Sequence, residues 1–232
     1  MRLDMSMHKR LILSLALFSA LALVGPTLAS AKMIDLGALD PAVKAGCPTV
    51  PGCYAMSRGT GYQSAVGSNK SPMVVKQAGR IVAWTITLGK PTAKQIAWFD
   101  SNLGGESSAQ LTVLTPTKKT KATPKAKTGA IVSRQGELVK LKPYFGKTVQ
   151  LALKSSIPVA KGQIVALTVP TWVPALATGL ESSTIWKASR GKLDCKDTQT
   201  QTAQLTLKQF SDYACDYPTA RITYSAQIVT DP

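Results

Sequence analysis

The amino-acid sequence predicts an all-β protein in which antiparallel strands form a two-sheet sandwich. About ten short segments carry apolar side chains at alternate positions, which is the period of a half-buried strand. Turn residues separate these segments, and no stretch shows a convincing helical period. A chain of 232 residues is long enough for one large sandwich domain.

The first 31 residues have the pattern of a secretory signal peptide. Arg2, Lys9 and Arg10 form a basic segment at the start of the chain. An apolar run over residues 11–24 follows, and small residues at 29–31 fit a cleavage site. The alternative is an uncleaved anchor, but the run is shorter than the roughly 20 apolar residues that span a bilayer. We therefore expect a secreted or cell-surface protein whose mature chain has no membrane span.

Export limits the chemistry that the mature chain can perform. His8 is the only histidine and lies in the signal, which excludes Ser–His and Cys–His nucleophiles and imidazole ligands for zinc. An even number of cysteines in an exported chain predicts disulfides. Three pairings are possible, and the spacing favours the local pairs Cys47–Cys53 and Cys195–Cys215 over zinc binding, since no C-x2-C pair is present.

The elements of the sandwich are predicted in chain order, beginning with a loop-rich arm. Residues 32–70 carry few strand signals, so we expect an arm on the surface of a sandwich domain over residues 71–232. The clearest strand is Gly79–Leu88, where Trp84 and its alternate neighbours fall on one face and threonines fall on the other. We expect Trp84 in the core. Residues 94–99 are ambiguous between a strand and a single helical turn.

The remaining strands follow from the same alternation. The segment 163–169 is apolar almost throughout, which predicts a central strand buried on both faces. The predicted strands after residue 100 are 110–114, 130–133, 138–141, 148–153, 163–169, 183–186, 204–207 and 221–229.

The chain is basic, with a formal net charge of +16, and its densest charge lies in residues 115–128, TPTKKTKATPKAKT. This stretch contains no acid and two prolines, so we expect an exposed hairpin loop that attracts an anionic polymer by counterion release. Lysine without arginine or aromatic neighbours does not favour the reading of nucleic-acid bases. The alternative is a solvated loop that serves solubility. The predicted polyanion-binding residues are Lys118, Lys119, Lys121, Lys125 and Lys127.

Two further features predict ligand sites. Trp172 lies between Pro170 and Pro174, and a stiff loop there would present the indole to a sugar ring; the alternative is that Trp172 packs on the core. Four aspartates gather around the second disulfide if it forms, and they offer either a calcium site or local charge balance, with no other cofactor expected. These aspartates are Asp194, Asp197, Asp212 and Asp216.

Four segments carry a resemblance to a known family: GRIVAWTITLG, LTVLTPT, IPVAKGQIVALTVPTW and ARITYSAQIVTDP. They resemble the uncharacterised secreted β-sandwich proteins of soil actinobacteria, and the similarity extends over residues 73–232. The resemblance implies a jelly-roll-like fold and no established activity, so it assigns no functional residue.

The expected function is therefore a non-enzymatic one. We expect an extracellular binding or structural module for an anionic polymer or a glycan. The alternative from another class is a small glycan hydrolase that uses two carboxylates. Its candidate acids are Asp100, Glu106, Glu137 and Glu181.

Overall fold

The computed structural model describes residues 31–49, 52–117, 129–197 and 199–231. All strand pairs are antiparallel, and two curved sheets pack face to face around a common core. The predicted fold class, an all-β sandwich, is confirmed. None of the helices in the described residues is both long and apolar enough to cross a membrane.

Within these residues the chain forms fourteen strands, one α-helix and two short 3-10 turns at Lys142–Tyr144 and Lys192–Asp194. The strands and the α-helix, in chain order, are β1 (Met33–Leu36), β2 (Met56–Ala65), β3 (Gly79–Thr87), α1 (Ala93–Asn102), β4 (Ser108–Thr117), β5 (Gly129–Gln135), β6 (Val139–Lys140), β7 (Thr148–Val159), β8 (Ile164–Val173), β9 (Leu176–Thr178), β10 (Ile185–Ala188), β11 (Phe210–Ser211), β12 (Cys215–Pro218), β13 (Ala220–Ile222) and β14 (Tyr224–Thr230).

The smaller sheet has the strand order β1-β14-β3-β7. The larger sheet has the order β11-β5-β4-β8-β2-β10-β12, and β6 adds to β4 beside this path. Strands β9 and β13 form a separate pair. The predicted central strand is confirmed, because β8 lies between β4 and β2 in the larger sheet.

The core lies between the two sheets and is filled by their alternating apolar residues. Trp84 and Ile86 of β3 are buried there, whereas Thr85 and Thr87 lie on the opposite face. Tyr224 of β14 crosses the core and donates its hydroxyl to the carbonyl of Val165 in the other sheet at 2.9 Å. The expected core position of Trp84 is confirmed, with 1% of its surface exposed.

The second face of the larger sheet is polar but also buried. The hydroxyls of Thr60, Thr112 and Thr168 hydrogen-bond to one another across β2, β8 and β4. Residues 199–209 lie over them as a strap, in which the Gln204 amide donates to the Thr60 hydroxyl at 2.9 Å. Because buried hydroxyls need partners, this network makes the strap an integral layer of the fold.

Both predicted disulfides are confirmed, Cys47–Cys53 and Cys195–Cys215. The second one joins the start of β12 to the 3-10 turn that precedes the strap. The local spacing in the sequence was sufficient to identify both pairs.

Three predictions about the elements are corrected. Residues 32–70 are not a surface arm, because β1 joins the smaller sheet and β2 lies inside the larger one. Residues 94–99 belong to a helix of ten residues rather than to a strand or a single turn. Residues 204–207 are not a strand, since the side chain of Gln209 accepts the amides of Leu205 and Thr206 and closes a turn.

Candidate functional site

One end of the sandwich gathers segments that are far apart in the chain. The end of β3 meets the start of β7 through the pair Thr87–Thr148. The end of β8 comes to the same place, because the Gly89 amide donates to the carbonyl of Pro174 at 2.8 Å. The helix α1 and the Lys142–Tyr144 turn pack against these strand ends.

Trp172 is the centre of a small aromatic cluster at this end. Its ring lies 4.6 Å from that of Phe99 and 5.5 Å from that of Phe145, measured between centroids. Its Nε1 donates to the Asp100 carboxylate at 2.9 Å and to the carbonyl of Gly105 at 3.0 Å. Trp172 is completely buried, so the predicted sugar platform at this residue is wrong. Its indole instead anchors the helix and the turn to β8.

The helix α1 begins with a reciprocal cap. The Gln95 amide donates to the Thr92 hydroxyl, and the Thr92 amide donates to the Gln95 side chain at 2.8 Å. The Gln95 side chain also donates to the carbonyl of Pro48 in the first disulfide loop at 3.2 Å. These contacts fix the helix so that Phe99 faces the aromatic cluster.

The outward side of α1 carries Lys94 and Trp98. They are four residues apart, which places them on the same side of the helix. Trp98 is 53% exposed, although its ring meets the Phe99 ring edge-on with 5.5 Å between centroids. An indole that is held from behind and open in front is suited to stacking against a planar or ring-shaped ligand.

Two neighbouring segments add three more lysines. The turn that contains Lys142 and Lys147 is joined to β3 and the residues after it, because the Leu88 amide donates to the carbonyl of Lys147 and the Gly146 amide donates to the carbonyl of Gly89, both at 2.9 Å. The side chain of Lys90 lies against Gly146, where an added Cβ would be 3.1 Å from the Cβ of Lys90. We call Lys90, Lys94, Lys142, Lys147 and Trp98 the lysine–tryptophan surface.

The charge of this surface is not neutralised by ion pairs within the part of the chain that the structure describes. Its four lysines are exposed, and none of them forms an ion pair with an acid of the described residues. Lys140 lies close by in sequence, but it pairs with Glu106 at 2.9 Å. Several unpaired lysines create a positive potential that attracts polyanions and releases their counterions.

The lysines of the predicted polyanion loop lie outside the described residues. This applies to Lys118, Lys119, Lys121, Lys125 and Lys127. The residues on either side of them, Thr117 and Gly129, pair with each other at the end of β4 that is opposite Ser108. Because Ser108 contacts Thr171 beside the aromatic cluster, Thr117 and Gly129 lie at the other end of β4 from that cluster.

The four aspartates of the predicted calcium site are not brought together. No group of three or more potential metal-binding side chains occurs in the described part of the chain. Asp216 forms an ion pair with Lys187 at 2.6 Å. Hydrogen bonds from Thr200 and then from the Gln199 amide lower the pKa of Asp197 to about 2. The other two aspartates of the predicted calcium site are Asp194 and Asp212. These observations favour local charge balance over a calcium site.

Three of the four candidate acids of a hydrolase are occupied by structural contacts. Asp100 accepts the Trp172 indole, and Glu106 and Glu137 form surface ion pairs with Lys140 and Lys154. The fourth, Glu181, is exposed and lies in a turn.

Comparisons of the chain with protein-family models, with curated proteins and with solved structures found no match. The function is therefore proposed from the chemistry of the lysine–tryptophan surface.

The lysine–tryptophan surface was not predicted from the sequence. Its lysines lie on three separate segments and form no local run, so no sequence pattern marks them as a group. The helix did have a local signal, because Thr92 and Gln95 have the spacing of a capping box. That signal would have placed Lys94 and Trp98 on one side of a helix.

Proposed function

We propose that the protein is an exported binding module that holds an anionic polymer outside the cell through the lysine–tryptophan surface. The observation that carries this proposal is that four exposed lysines, none of them in an ion pair with an acid of the described residues, and the half-exposed Trp98 lie on adjoining segments at one end of the sandwich. Membership in the secreted actinobacterial family stays a prediction. The two disulfides are compatible with an extracellular location.

The lysines supply the affinity in this proposal. Each Lys side chain that neutralises a phosphate or carboxylate of the polymer releases a condensed counterion, so binding weakens as salt is added. Lysine is a compact point charge on a flexible stem, which suits contacts to a variable backbone rather than recognition of one fixed geometry. The surface therefore favours a repeating anion over a single small ligand.

Trp98 adds a preference for polymers that contain rings. Stacking on an aromatic side chain contributes about 1–3 kcal/mol per stacked base in nucleic-acid complexes. A pyranose ring also presents an apolar face to an indole. The proposed ligand is thus an anionic polymer with sugar or other cyclic units.

The first experiment tests the lysines with long-chain inorganic polyphosphate as the probe. We expect the variant Lys90→Gln, Lys94→Gln, Lys142→Gln and Lys147→Gln to lower the slope of log affinity against log salt by about 3, at about 0.7 for each phosphate contact. Circular dichroism and the urea midpoint should stay near those of the wild type, since all four side chains are exposed.

Two matched variants serve as controls. One changes four exposed lysines elsewhere to Gln, namely Lys32, Lys161, Lys192 and Lys196. The other changes the five lysines of residues 118–127. If either control lowers the slope as much as the surface variant does, net charge or the loop carries the binding, and the proposed surface is wrong.

A second experiment tests Trp98. Trp98→Ala should leave polyphosphate binding unchanged, because that polymer has no ring to stack. It should weaken binding of polygalacturonate by about fivefold or more, measured by fluorescence anisotropy of a labelled fragment. Equal affinity of wild type and variant for polygalacturonate would remove the ring preference from the proposal.

A further inference from the structure

A cavity of about 380 Å³ lies between β1, the loop after β2, and β13. None of its lining residues belongs to the lysine–tryptophan surface. Its lining includes the apolar side chains of Ile34 and Val74, while Asn69 and Ser71 provide polar groups. A partly apolar cavity with a few polar groups is the usual form of a small-molecule site.

Arg221 of β13 lines this cavity and is 6% exposed. Its Nη2 donates to the carbonyls of Gly37 at 3.1 Å and Ala38 at 2.6 Å. Its Nε has no hydrogen-bond partner in the described part of the chain. The guanidinium is therefore held in place by two carbonyls, yet part of its donor capacity is unused.

The position of Arg221 is fixed by the strand that carries it. The side chain of Gln63 in β2 donates to the carbonyl of Ala220 at 3.2 Å and accepts the amide of Ile222 at 3.1 Å. These two bonds hold the backbone on both sides of Arg221. A preorganised arginine loses little side-chain freedom when it binds an anion.

The positive charge of Arg221 is only partly compensated. It forms no ion pair with any acid of the described residues. Burial lowers its pKa, and the nearby Asp40 acts in the opposite direction. Lys76 adds a second cation to the lining, and Asp35 adds one carboxylate, which accepts the Gln227 side chain.

We propose that this cavity binds a small ligand with one carboxylate group and an apolar portion. The carboxylate faces Arg221, because a guanidinium offers several donors in a geometry that matches a carboxylate. The apolar portion lies against Ile34 and Val74. Asp35 limits the ligand to a single anionic group, since a second one beside it would be repelled.

The experiment compares three probes of equal chain length by titration calorimetry and NMR: hexanoate, hexan-1-ol and hexylammonium. We expect hexanoate to bind at least about tenfold more tightly than either of the others. Arg221→Met should reduce its affinity by about tenfold or more. The matched control is Arg80→Met, which removes an exposed arginine outside this cavity and should change nothing.

A second variant keeps the test valid if Arg221→Met does not fold. Ala38→Trp places a large side chain at the exposed rim of the cavity and leaves the guanidinium in place. It should abolish the binding of hexanoate. The proposal is overturned if hexanoate binds no more tightly than hexan-1-ol, if it does not bind at all, or if Ala38→Trp leaves its affinity unchanged.

Discussion

Two tyrosines, Tyr213 and Tyr224, bury their hydroxyl groups in or beside the core, and a third, Tyr62, is half-buried. The Tyr213 hydroxyl donates to the Gln204 side chain at 2.5 Å, and the Tyr224 hydroxyl donates to Val165. The Tyr62 and Tyr213 rings lie 5.3 Å apart. Burial raises the pKa of Tyr213 and of Tyr224, and burial followed by the charge of Asp216 raises the pKa of Tyr62 to about 12.

These shifts predict a loss of stability at alkaline pH. An unfolded tyrosine has a pKa near 10, so the folded protein holds the phenolic protons more tightly than the unfolded chain does. This contribution to the free energy of unfolding is complete below about pH 10 and is lost as pH rises through the folded pKa of about 12 for Tyr62. The urea midpoint should therefore decrease as the pH is raised from about 9 to about 11.5.

The variant Tyr62→Phe isolates the contribution of one residue. It lacks the Tyr62 hydroxyl but retains every lysine, so changes in lysine charge affect it and the wild type alike. We expect a smaller decrease of the urea midpoint with pH in this variant. The same decrease in both proteins would show that Tyr62 does not contribute to the alkaline transition.

At the scale of elements, the helix α1 links the first disulfide loop to the aromatic cluster. Its cap at Thr92 and its bond to Pro48 fix the start, and Phe99 and Leu103 pack with Trp172. The helix also carries Lys94 and Trp98. The cap therefore affects both the stability of the fold and the geometry of the lysine–tryptophan surface.

We expect Thr92→Ala to lower the free energy of unfolding by about 1 kcal/mol, which is typical for the loss of an N-cap hydroxyl. The Gln95 amide should exchange with solvent faster, because its acceptor has been removed. Urea unfolding and hydrogen exchange measure these effects. Ser101→Ala, an exposed change in the last turn of the same helix, is the control and should be close to neutral. Equal effects of the two substitutions would contradict the capping role.

The edge strand β7 shows how a long strand avoids pairing with other molecules. It has twelve residues and pairs only with β3 in the described sheet. Lys154 and Pro158 lie on it, and its pairing with β3 is interrupted by a register shift. A charge, a proline and an irregular register are all features that disfavour edge-to-edge association.

At the scale of the whole molecule, the strap over residues 199–209 completes the burial of the larger sheet. The Gln135 side chain donates to the carbonyl of Gln204, and the Gln201 side chain donates to that of Pro170. The disulfide Cys195–Cys215 closes the chain around this strap. The sandwich therefore has a third, partial layer in addition to its two sheets.

We expect the second disulfide to stabilise the protein more than the first. A loop closed over a sequence separation of 20 contributes about 3 kcal/mol in the chain-entropy model, and one closed over 6 contributes about 2 kcal/mol. The double variants Cys195→Ala with Cys215→Ala and Cys47→Ala with Cys53→Ala should show this order in urea unfolding. A larger loss of stability in the variant that lacks Cys47–Cys53 would contradict this prediction.

The alternation of apolar and polar side chains was sufficient to predict the strands that have one polar and one apolar face. In β3, Trp84 and Ile86 face the core and Thr85 and Thr87 do not, so the pattern is visible in the sequence. The strand β2 has no such pattern because other segments cover both of its faces. An added Cβ at Gly61 would lie 3.0 Å from the Trp186 ring, so this position needs a glycine. In the sequence, however, a glycine indicates a turn rather than a buried strand.

The sequence by itself determined the fold class, the core strand of Trp84 and the two disulfides. Those features depend on local periodicity or on cysteines close together in the chain, and neighbouring residues are enough to specify them. Only the tertiary structure decided the place of β2, the burial of Trp172 and the joining of the segments that carry Lys90, Lys94, Lys142 and Lys147. These depend on which surfaces come into contact, because burial and electrostatic potential are properties of the folded arrangement rather than of any one segment.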